Sequence, residues 1–189
     1  RKTICNYTMK EAVILHGTAE TAESFWLPYA KSELEKKGYT VSIPQLPEAE
    51  APDLKNWLPT ALNETYTENT VLIGHSAGCP LILSVLENID VKIKQAILVA
   101  GYARPKSDDP KPEPILQQTY DWARIRNNVG DIIFINSDND PWGCDDVEGK
   151  YMLENIGGTL IIRKGEGHMG SDRFNQPYKE FPFLIKLID

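Results

Sequence analysis

The chain has 189 residues, of which 41% are apolar and 25% are charged. This is the composition of a globular protein and excludes a disordered, collagen-like or coiled-coil chain, and the length predicts a single domain over residues 1–189. The net charge of -7 opposes attraction to phosphate backbones and to anionic lipid, so neither nucleic acid nor a membrane is expected as a partner.

Short β-branched apolar runs alternate along the chain with segments of helical spacing, a pattern that predicts βαβ units. The predicted strands are 12–15, 39–43, 70–73, 96–100, 131–136 and 159–163. The predicted helices are 25–37, 57–62, 77–87, 122–127, 147–155 and 182–188. Because the strands are nearly continuous in Val, Ile and Leu, they are typical of strands buried on both faces of a sheet. We therefore predict a single three-layer α/β/α domain with a mostly parallel six-stranded sheet.

One segment, 101–114, breaks this alternation. It carries four prolines and several charges, so it forms neither a regular helix nor a central strand. Two interpretations stay open at this point: a solvated connector, or a lid that faces the substrate, since long loops in compact domains are often functional.

The apolar runs and the cysteines of the sequence indicate the cellular compartment in which the protein is expected. The longest apolar stretch, 71–85, is interrupted by polar residues and falls short of the ~20 residues of a membrane span. Residues 1–10 contain no apolar core of a secretion signal, although the chain does not begin with Met, so the native N-terminus stays an open question. The three cysteines, Cys5, Cys79 and Cys144, form no CxxC pair and favour free thiols in a reducing compartment. We expect a cytoplasmic protein.

The most informative motif is Gly74-His75-Ser76-Ala77-Gly78, which stands between a predicted strand and a predicted helix. It matches the nucleophile elbow G-x-S-x-G. Such a turn is so tight that the serine adopts a strained conformation, and the residues two positions away on each side must lack bulky side chains. We predict that Ser76 is a nucleophile and that the Ala77 N–H, at the start of the helix, stabilises an oxyanion.

A serine nucleophile needs a base and a group that orients the base. Two loops that follow predicted strands supply both: 137–142 contains Asp138 and Asp140, and 165–170 contains His168. The carboxyl ends of parallel strands share one edge of a sheet, and the order Ser, Asp, His is that of α/β-hydrolases. His168 is the predicted base, and Asp140 is favoured over Asp138 as its partner.

The remaining site predictions concern the oxyanion and the substrate. The loop after the first strand offers the N–H of Thr18 or of Ala19 as the second oxyanion donor. No His or Cys spacing supports zinc, and the acidic loop after Asp138 lacks the ligand positions of a calcium site. We therefore expect no metal and no cofactor. The candidate substrate-binding residues are Trp26, Tyr102, Trp142 and Met169.

Several motifs together resemble one family, the small serine hydrolases related to retinoblastoma-binding protein nine within the α/β-hydrolase superfamily. They are His16-Gly17, Trp26-Leu27-Pro28, Pro44-x-x-Pro47, Trp57-Leu58, the GHSAG elbow, Asp121-Trp122, Asp140-Pro141 and Gly167-His168. The resemblance implies a triad of Ser76, Asp140 and His168, the sheet order 2-1-3-4-5-6 and a minimal hydrolase with little or no cap. The chain departs from the family at 18–23, where relatives often have a glycine-rich loop.

Two functions of different classes are compatible with these residues. The first is a serine hydrolase that cleaves a neutral or mildly polar small-molecule ester, or an amide, through an acyl-enzyme; acyl transfer to an acceptor other than water would use the same residues. The second is a non-catalytic or weakly catalytic binding module that keeps the hydrolase scaffold and takes a protein partner. The complete set of catalytic residue types favours the hydrolase.

Overall fold

Six strands form one parallel sheet at the centre of the computed structural model, which describes residues 9–106 and 113–189. The order of the strands is β2-β1-β3-β4-β5-β6, and every neighbouring pair is parallel. The predicted fold class and the sheet order implied by the resemblance are both confirmed. The strands are β1 (Lys10–Leu15), β2 (Tyr39–Ser42), β3 (Thr70–His75), β4 (Ile93–Val99), β5 (Val129–Ser137) and β6 (Thr159–Arg163).

Helices cover both faces of this sheet and bury it. They are α1 (Leu27–Lys36), α2 (Leu54–Leu62), α3 (Gly78–Asn88), α4 (Trp122–Asn127), α5 (Asp146–Ile156) and α6 (Pro182–Ile185). Leu34 of α1 and Leu184 of α6 belong to the core on one face, whereas Trp57, Ile125 and Met152 of α2, α4 and α5 belong to the core on the other. The domain therefore has three layers.

The strands alternate between the two cores. In β1, Ala12 and Ile14 contribute to the core beneath α1, and Val13 and Leu15 contribute to the core beneath α3. This alternation follows from the two-residue period of a strand. Because both faces are covered, all four side chains are buried, which is why the sequence shows an unbroken apolar run.

Some element boundaries differ from the prediction for local reasons. β4 begins at Ile93 rather than at 96, because the exposed Lys94 interrupts the apolar pattern. α2 begins at Leu54 rather than at 57, because the Asp53 side chain caps it by accepting the Lys55 N–H at 2.9 Å. α6 ends at Ile185 rather than at 188, and the Lys37 ammonium group donates to the Ile185 carbonyl at this end, at 3.0 Å.

Two features predicted from the sequence fall partly outside the described residues. Cys5 and residues 107–112 of the proline-rich segment lie outside them, whereas Cys79 and Cys144 are buried free thiols.

Within the described ranges, the structure contains no helix with the length and apolar character needed to cross a membrane.

Candidate active site

The turn between β3 and α3 holds Ser76 in the left-handed region of the backbone, with φ of 52°. A Cβ atom on Gly78 would lie 2.3 Å from the Leu15 carbonyl oxygen, and one on Gly74 would lie 2.8 Å from Cδ1 of Ile82. Side chains at either position would therefore push the turn away from β1 or from α3. The sequence folds this way locally because both glycines are present, and the turn leaves Ser76 on the wall of a cavity.

The backbone around Ser76 offers two N–H groups for an oxyanion. Within the described part of the chain, the N–H groups of Ala77 and Thr18 have no hydrogen-bond acceptor. The N–H of Ala19 is already used, because it donates to the Ala49 carbonyl at 2.7 Å. A Cβ on Gly17 would lie 2.9 Å from Cβ of Ser76, so the loop that carries Thr18 packs directly against the turn. Of the two alternatives in this loop, only Thr18 has a free donor.

Asp140 and His168 form a hydrogen-bonded pair at the carboxyl ends of β5 and β6. Nδ1 of His168 lies 2.7 Å from Oδ2 of Asp140, and both side chains are buried. The other oxygen of Asp140 accepts the Trp142 N–H at 2.8 Å, which fixes the carboxylate. Asp138 points elsewhere, since its Oδ1 accepts the Gly165 N–H at 2.7 Å. The structure therefore brings Asp140, and not Asp138, to the imidazole.

The loop that carries His168 is held from two directions. Oδ1 of Asn139 accepts the Gly167 N–H at 2.8 Å, so the loop after β5 supports the loop after β6. Oε1 of Gln176 accepts the His168 N–H at 3.0 Å and the Gly170 N–H at 3.3 Å. The sequence analysis did not single out Gln176, because a glutamine in a polar loop carries no local signal of such a role.

The electrostatics of the site favour the neutral form of His168. Burial lowers the pKa of His168 from its ordinary value of 6.5, and the positive charge of nearby His75 adds to this effect, whereas the hydrogen bond to Asp140 opposes both. Ser76 and His168 line the same cavity. Among the described residues there is no hydrogen bond between them, and Nε2 of His168 has no partner; such catalytic contacts often tighten only when substrate binds.

A second carboxylate–imidazole pair lies beside the nucleophile. His75, the residue before Ser76, is fully buried, and its Nδ1 lies 2.7 Å from Oε1 of Glu20. The ring of His75 therefore faces Glu20. The sequence analysis did not foresee this partner, because the two residues are 55 positions apart.

The cavity at this edge of the sheet has a volume of about 820 Å³ and is lined by residues of several loops. Tyr102 and Trp142 lie on its wall, as do Lys106 and Glu113 from the described part of the proline-rich segment. Two other predicted substrate-binding residues, Trp26 and Met169, do not line it. Trp26 is fully buried and its Nε1–H donates to the Met169 carbonyl at 3.0 Å, so it supports the loop of His168 from within the core.

Ion pairs neutralise part of the charge on the cavity wall. Glu148 is paired with Arg104 at 3.0 Å, and Glu113 is paired with Lys106 at 3.2 Å. By contrast, the Trp142 ring is 39% exposed and presents an apolar surface. Three further acidic residues on the wall have no ion-pair partner among the described residues: Glu50, Asp145 and Asp172. The wall therefore combines an excess of negative charge with an aromatic face, which disfavours an anionic ligand and suits one with an apolar part.

Three potential metal-binding groups lie close together at the same place. One ligand atom from each of Asp140, Cys144 and His168 lies within 4.8 Å of the others. Burial raises the pKa of the Cys144 thiol well above its ordinary value, and the charge of Asp140 raises it further. A neutral thiol is a poor metal ligand. The geometry instead matches a carboxylate that orients an imidazole.

Comparisons with known proteins identify the family and the fold of this chain. The family described as serine hydrolase matches residues 12–187. YdeN of Bacillus subtilis (strain 168), a protein named as a hydrolase, is 30% identical over 170 residues, which are 86% of this chain and 87% of YdeN. The solved structure of the ydeN gene product from B. subtilis superposes with a TM-score of 0.86 at 26% identity and covers 95% of this chain and 96% of that one. Est1E from Butyrivibrio proteoclasticus shares the fold, with a TM-score of 0.67 at 12% identity over 94% of this chain and 86% of Est1E.

Proposed function

Because the chain belongs to the serine hydrolase family and has the α/β-hydrolase fold, we propose that it cleaves a carboxylic ester through an acyl-enzyme formed on Ser76. His168 is the general base and acid, and Asp140 orients its ring. The family and the fold support hydrolysis as the reaction class. The excess of negative charge on the cavity wall disfavours an anionic substrate, and the exposed Trp142 supports a neutral small molecule with an apolar part.

The observation that carries the proposal is the hydrogen bond between Asp140 and Nδ1 of His168. A carboxylate accepts the Nδ1–H proton and thereby leaves the lone pair on Nε2. Nε2 is the nitrogen without a partner in the described structure, and the cavity that His168 lines also contains Ser76. The pair therefore supplies a base of the correct tautomer in the same cavity as the nucleophile.

The reaction follows from these positions. Nε2 of His168 takes the Ser76 proton while Oγ attacks the ester carbonyl, and the N–H groups of Ala77 and Thr18 stabilise the resulting oxyanion. The intermediate collapses as His168 returns the proton to the departing alcohol, which leaves an acyl group on Ser76. Water, activated by His168, then attacks this acyl-enzyme and releases the acid. Amides would follow the same route with a poorer leaving group.

The acyl group is best accommodated against the aromatic side of the cavity. Trp142 is half-exposed there, and Val147, which is 53% exposed, lies on the same wall. Est1E, which shares the fold, has been solved with ferulic acid bound, so a related scaffold admits an aromatic acid. We propose an ester whose acyl part is apolar or aromatic.

A panel of p-nitrophenyl esters with acyl groups of increasing length, together with an aromatic acyl ester, tests this proposal. The purified protein is expected to hydrolyse at least the short acyl esters with saturation kinetics. If no ester of the panel is turned over, the chain is not an esterase, and the protein-binding alternative becomes the better hypothesis.

The pH dependence gives a second check. Only neutral His168 can accept the Ser76 proton, and its pKa lies below the ordinary 6.5. Activity should therefore persist just below pH 6.5, where an ordinary histidine is already mostly protonated. It should fall only at lower pH, where His168 itself becomes protonated. Measurement of kcat/KM from about pH 4.5 to about pH 9 reports the base of the free enzyme. An acid limb at or above the ordinary histidine value would contradict this electrostatic account.

A further inference from the structure

The pair of Glu20 and His75 connects three segments of the site. Oε2 of Glu20 accepts the Gly17 N–H at 2.9 Å, in the loop after β1. Its Oε1 lies 2.7 Å from Nδ1 of His75, in the turn that carries the nucleophile. Nε2–H of His75 donates to the backbone carbonyl of His168 at 2.9 Å, in the loop after β6. A continuous chain of hydrogen bonds therefore runs from the loop of Thr18 to the loop of the base.

The hydrogen-bond partners and the electrostatics of this pair favour its charged form. A carbonyl oxygen can only accept, so Nε2 of His75 carries a proton. Burial alone would lower the pKa of His75, but the charge and hydrogen bond of Glu20, together with the His168 carbonyl and the charge of Asp140, raise it above its ordinary value. Burial alone would raise the pKa of Glu20, but the charge and hydrogen bond of His75, together with the Gly17 N–H and the more distant His168, lower it below its ordinary value. These shifts favour an imidazolium beside a carboxylate, enclosed in the protein.

Stability does not account for such a pair. The cost of removing two charges from water offsets most of their attraction, so a buried ion pair contributes little net stability. The packing around it has no spare room: a Cβ on Gly17 would lie 2.8 Å from Oε1 of Glu20 and 2.9 Å from Cβ of Ser76. A displaced Glu20 side chain would therefore disturb the loop and the nucleophile together.

We propose that Glu20 and His75 are positioning residues that hold the oxyanion loop and the backbone of His168 in register with Ser76. This inference rests on the proposed function. Glu20 fixes Gly17, the residue before the proposed oxyanion donor Thr18. His75 fixes the backbone of the base. Errors of about 1 Å in such positions can lower a rate by about 100-fold, so the pair affects kcat although it does not touch the reacting atoms.

The charge of the pair also acts on the base. The ring centroids of His75 and His168 are 5.0 Å apart. Two carboxylates, those of Asp140 and Glu20, favour protonation of His168. The nearby Cys144 thiol is neutral, because burial raises its pKa. The aromatic rings that contact His75 carry no charge; they belong to Phe25 and Trp26. Glu166, two residues before His168, is paired with Arg163. His75 opposes protonation of His168 more strongly than Glu20 favours it, so neutralising the pair should raise the pKa of His168.

Two substitutions of Glu20 separate positioning from charge. In Glu20→Gln, the amide oxygen can accept the Gly17 N–H and the amide N–H can donate to Nδ1 of a neutral His75, so every hydrogen bond is kept while both charges are lost. In Glu20→Ala, the connection itself is lost. With p-nitrophenyl acetate we expect Glu20→Ala to lower kcat by about 10–100-fold with little change in KM. Glu20→Gln should restore most of this loss, and the acid limb of its kcat/KM profile should move to higher pH.

Histidine NMR provides a readout that does not depend on activity. The chain contains three histidines, so each ring can be assigned. At neutral pH the His75 ring should show the imidazolium signature in the wild type and the neutral signature in Glu20→Gln. Because Glu20→Gln keeps the hydrogen bonds, this measurement decides the charge state even if Glu20→Ala does not fold.

Glu23→Gln is the matched control, because it removes an exposed carboxylate from the same loop, and we expect it to behave as wild type. A folded Glu20→Ala protein with wild-type kcat would overturn the inference, as would a neutral His75 ring in the wild type. An unmoved acid limb in Glu20→Gln would also contradict it. Failure of the proposed function is distinguishable, because the wild type itself would then hydrolyse no ester.

Discussion

Replacement of Ser76 by alanine is expected to lower kcat by ~10⁴–10⁶, because it removes the atom that forms the acyl-enzyme. Alanine is smaller than serine and leaves the turn between Gly74 and Gly78 intact, so the protein should fold normally. Initial rates on an activated ester, with circular dichroism to check folding, measure the effect. Residual turnover would come from binding and from the oxyanion donors alone.

The control for this variant is Ser32→Ala, which removes an exposed hydroxyl from α1, far along the chain from the elbow. It should hydrolyse the ester at the wild-type rate. If Ser76→Ala retained the wild-type rate as well, Ser76 would not be the nucleophile, and the observed hydrolysis would come from another group or from a contaminating enzyme.

The second large effect is expected for Asp140→Asn. The asparagine oxygen can still accept the Trp142 N–H, but the amide N–H then faces Nδ1 of His168. The imidazole must accept at Nδ1 and carry its proton on Nε2, which is the wrong tautomer for a base. We expect kcat to fall by about 10⁴-fold with little change in KM, because the loss is confined to the chemical step.

Asp138→Asn tests whether this effect is specific to the pair. Asp138 accepts the Gly165 N–H through an oxygen that asparagine keeps, so its activity should stay close to that of the wild type. Equal losses in the two variants would show that the loop after β5 acts as a unit. The assignment of Asp140 to the base would then be wrong.

Local sequence is sufficient to predict the turn and the sheet edge. The conformation of Ser76 depends on Gly74 and Gly78, two residues away on either side, so a five-residue motif contains the required information. The strands could be predicted because both faces of the sheet are buried and their apolar runs are continuous. Loops that follow parallel strands meet at one edge, so Asp140 and His168 could be expected near each other before the structure was known.

Other features depend on contacts that no local pattern encodes. Glu20 stands in a polar loop and has the sequence context of an exposed residue, yet it is buried because His75 lies against it. Trp26 was expected near the substrate, but a large aromatic ring gains most from complete burial, and its N–H finds an acceptor on the Met169 backbone. In each case the partner is distant in sequence, so only the packed fold determines the role of the side chain.

The central claim is that Ser76 is a nucleophile activated by His168, and labelling with a fluorophosphonate probe tests it most directly. The account predicts a single covalent adduct under native conditions, located by peptide mass spectrometry on Ser76 and absent from the denatured protein. No reaction of the native protein, or an adduct on any other residue, would contradict it.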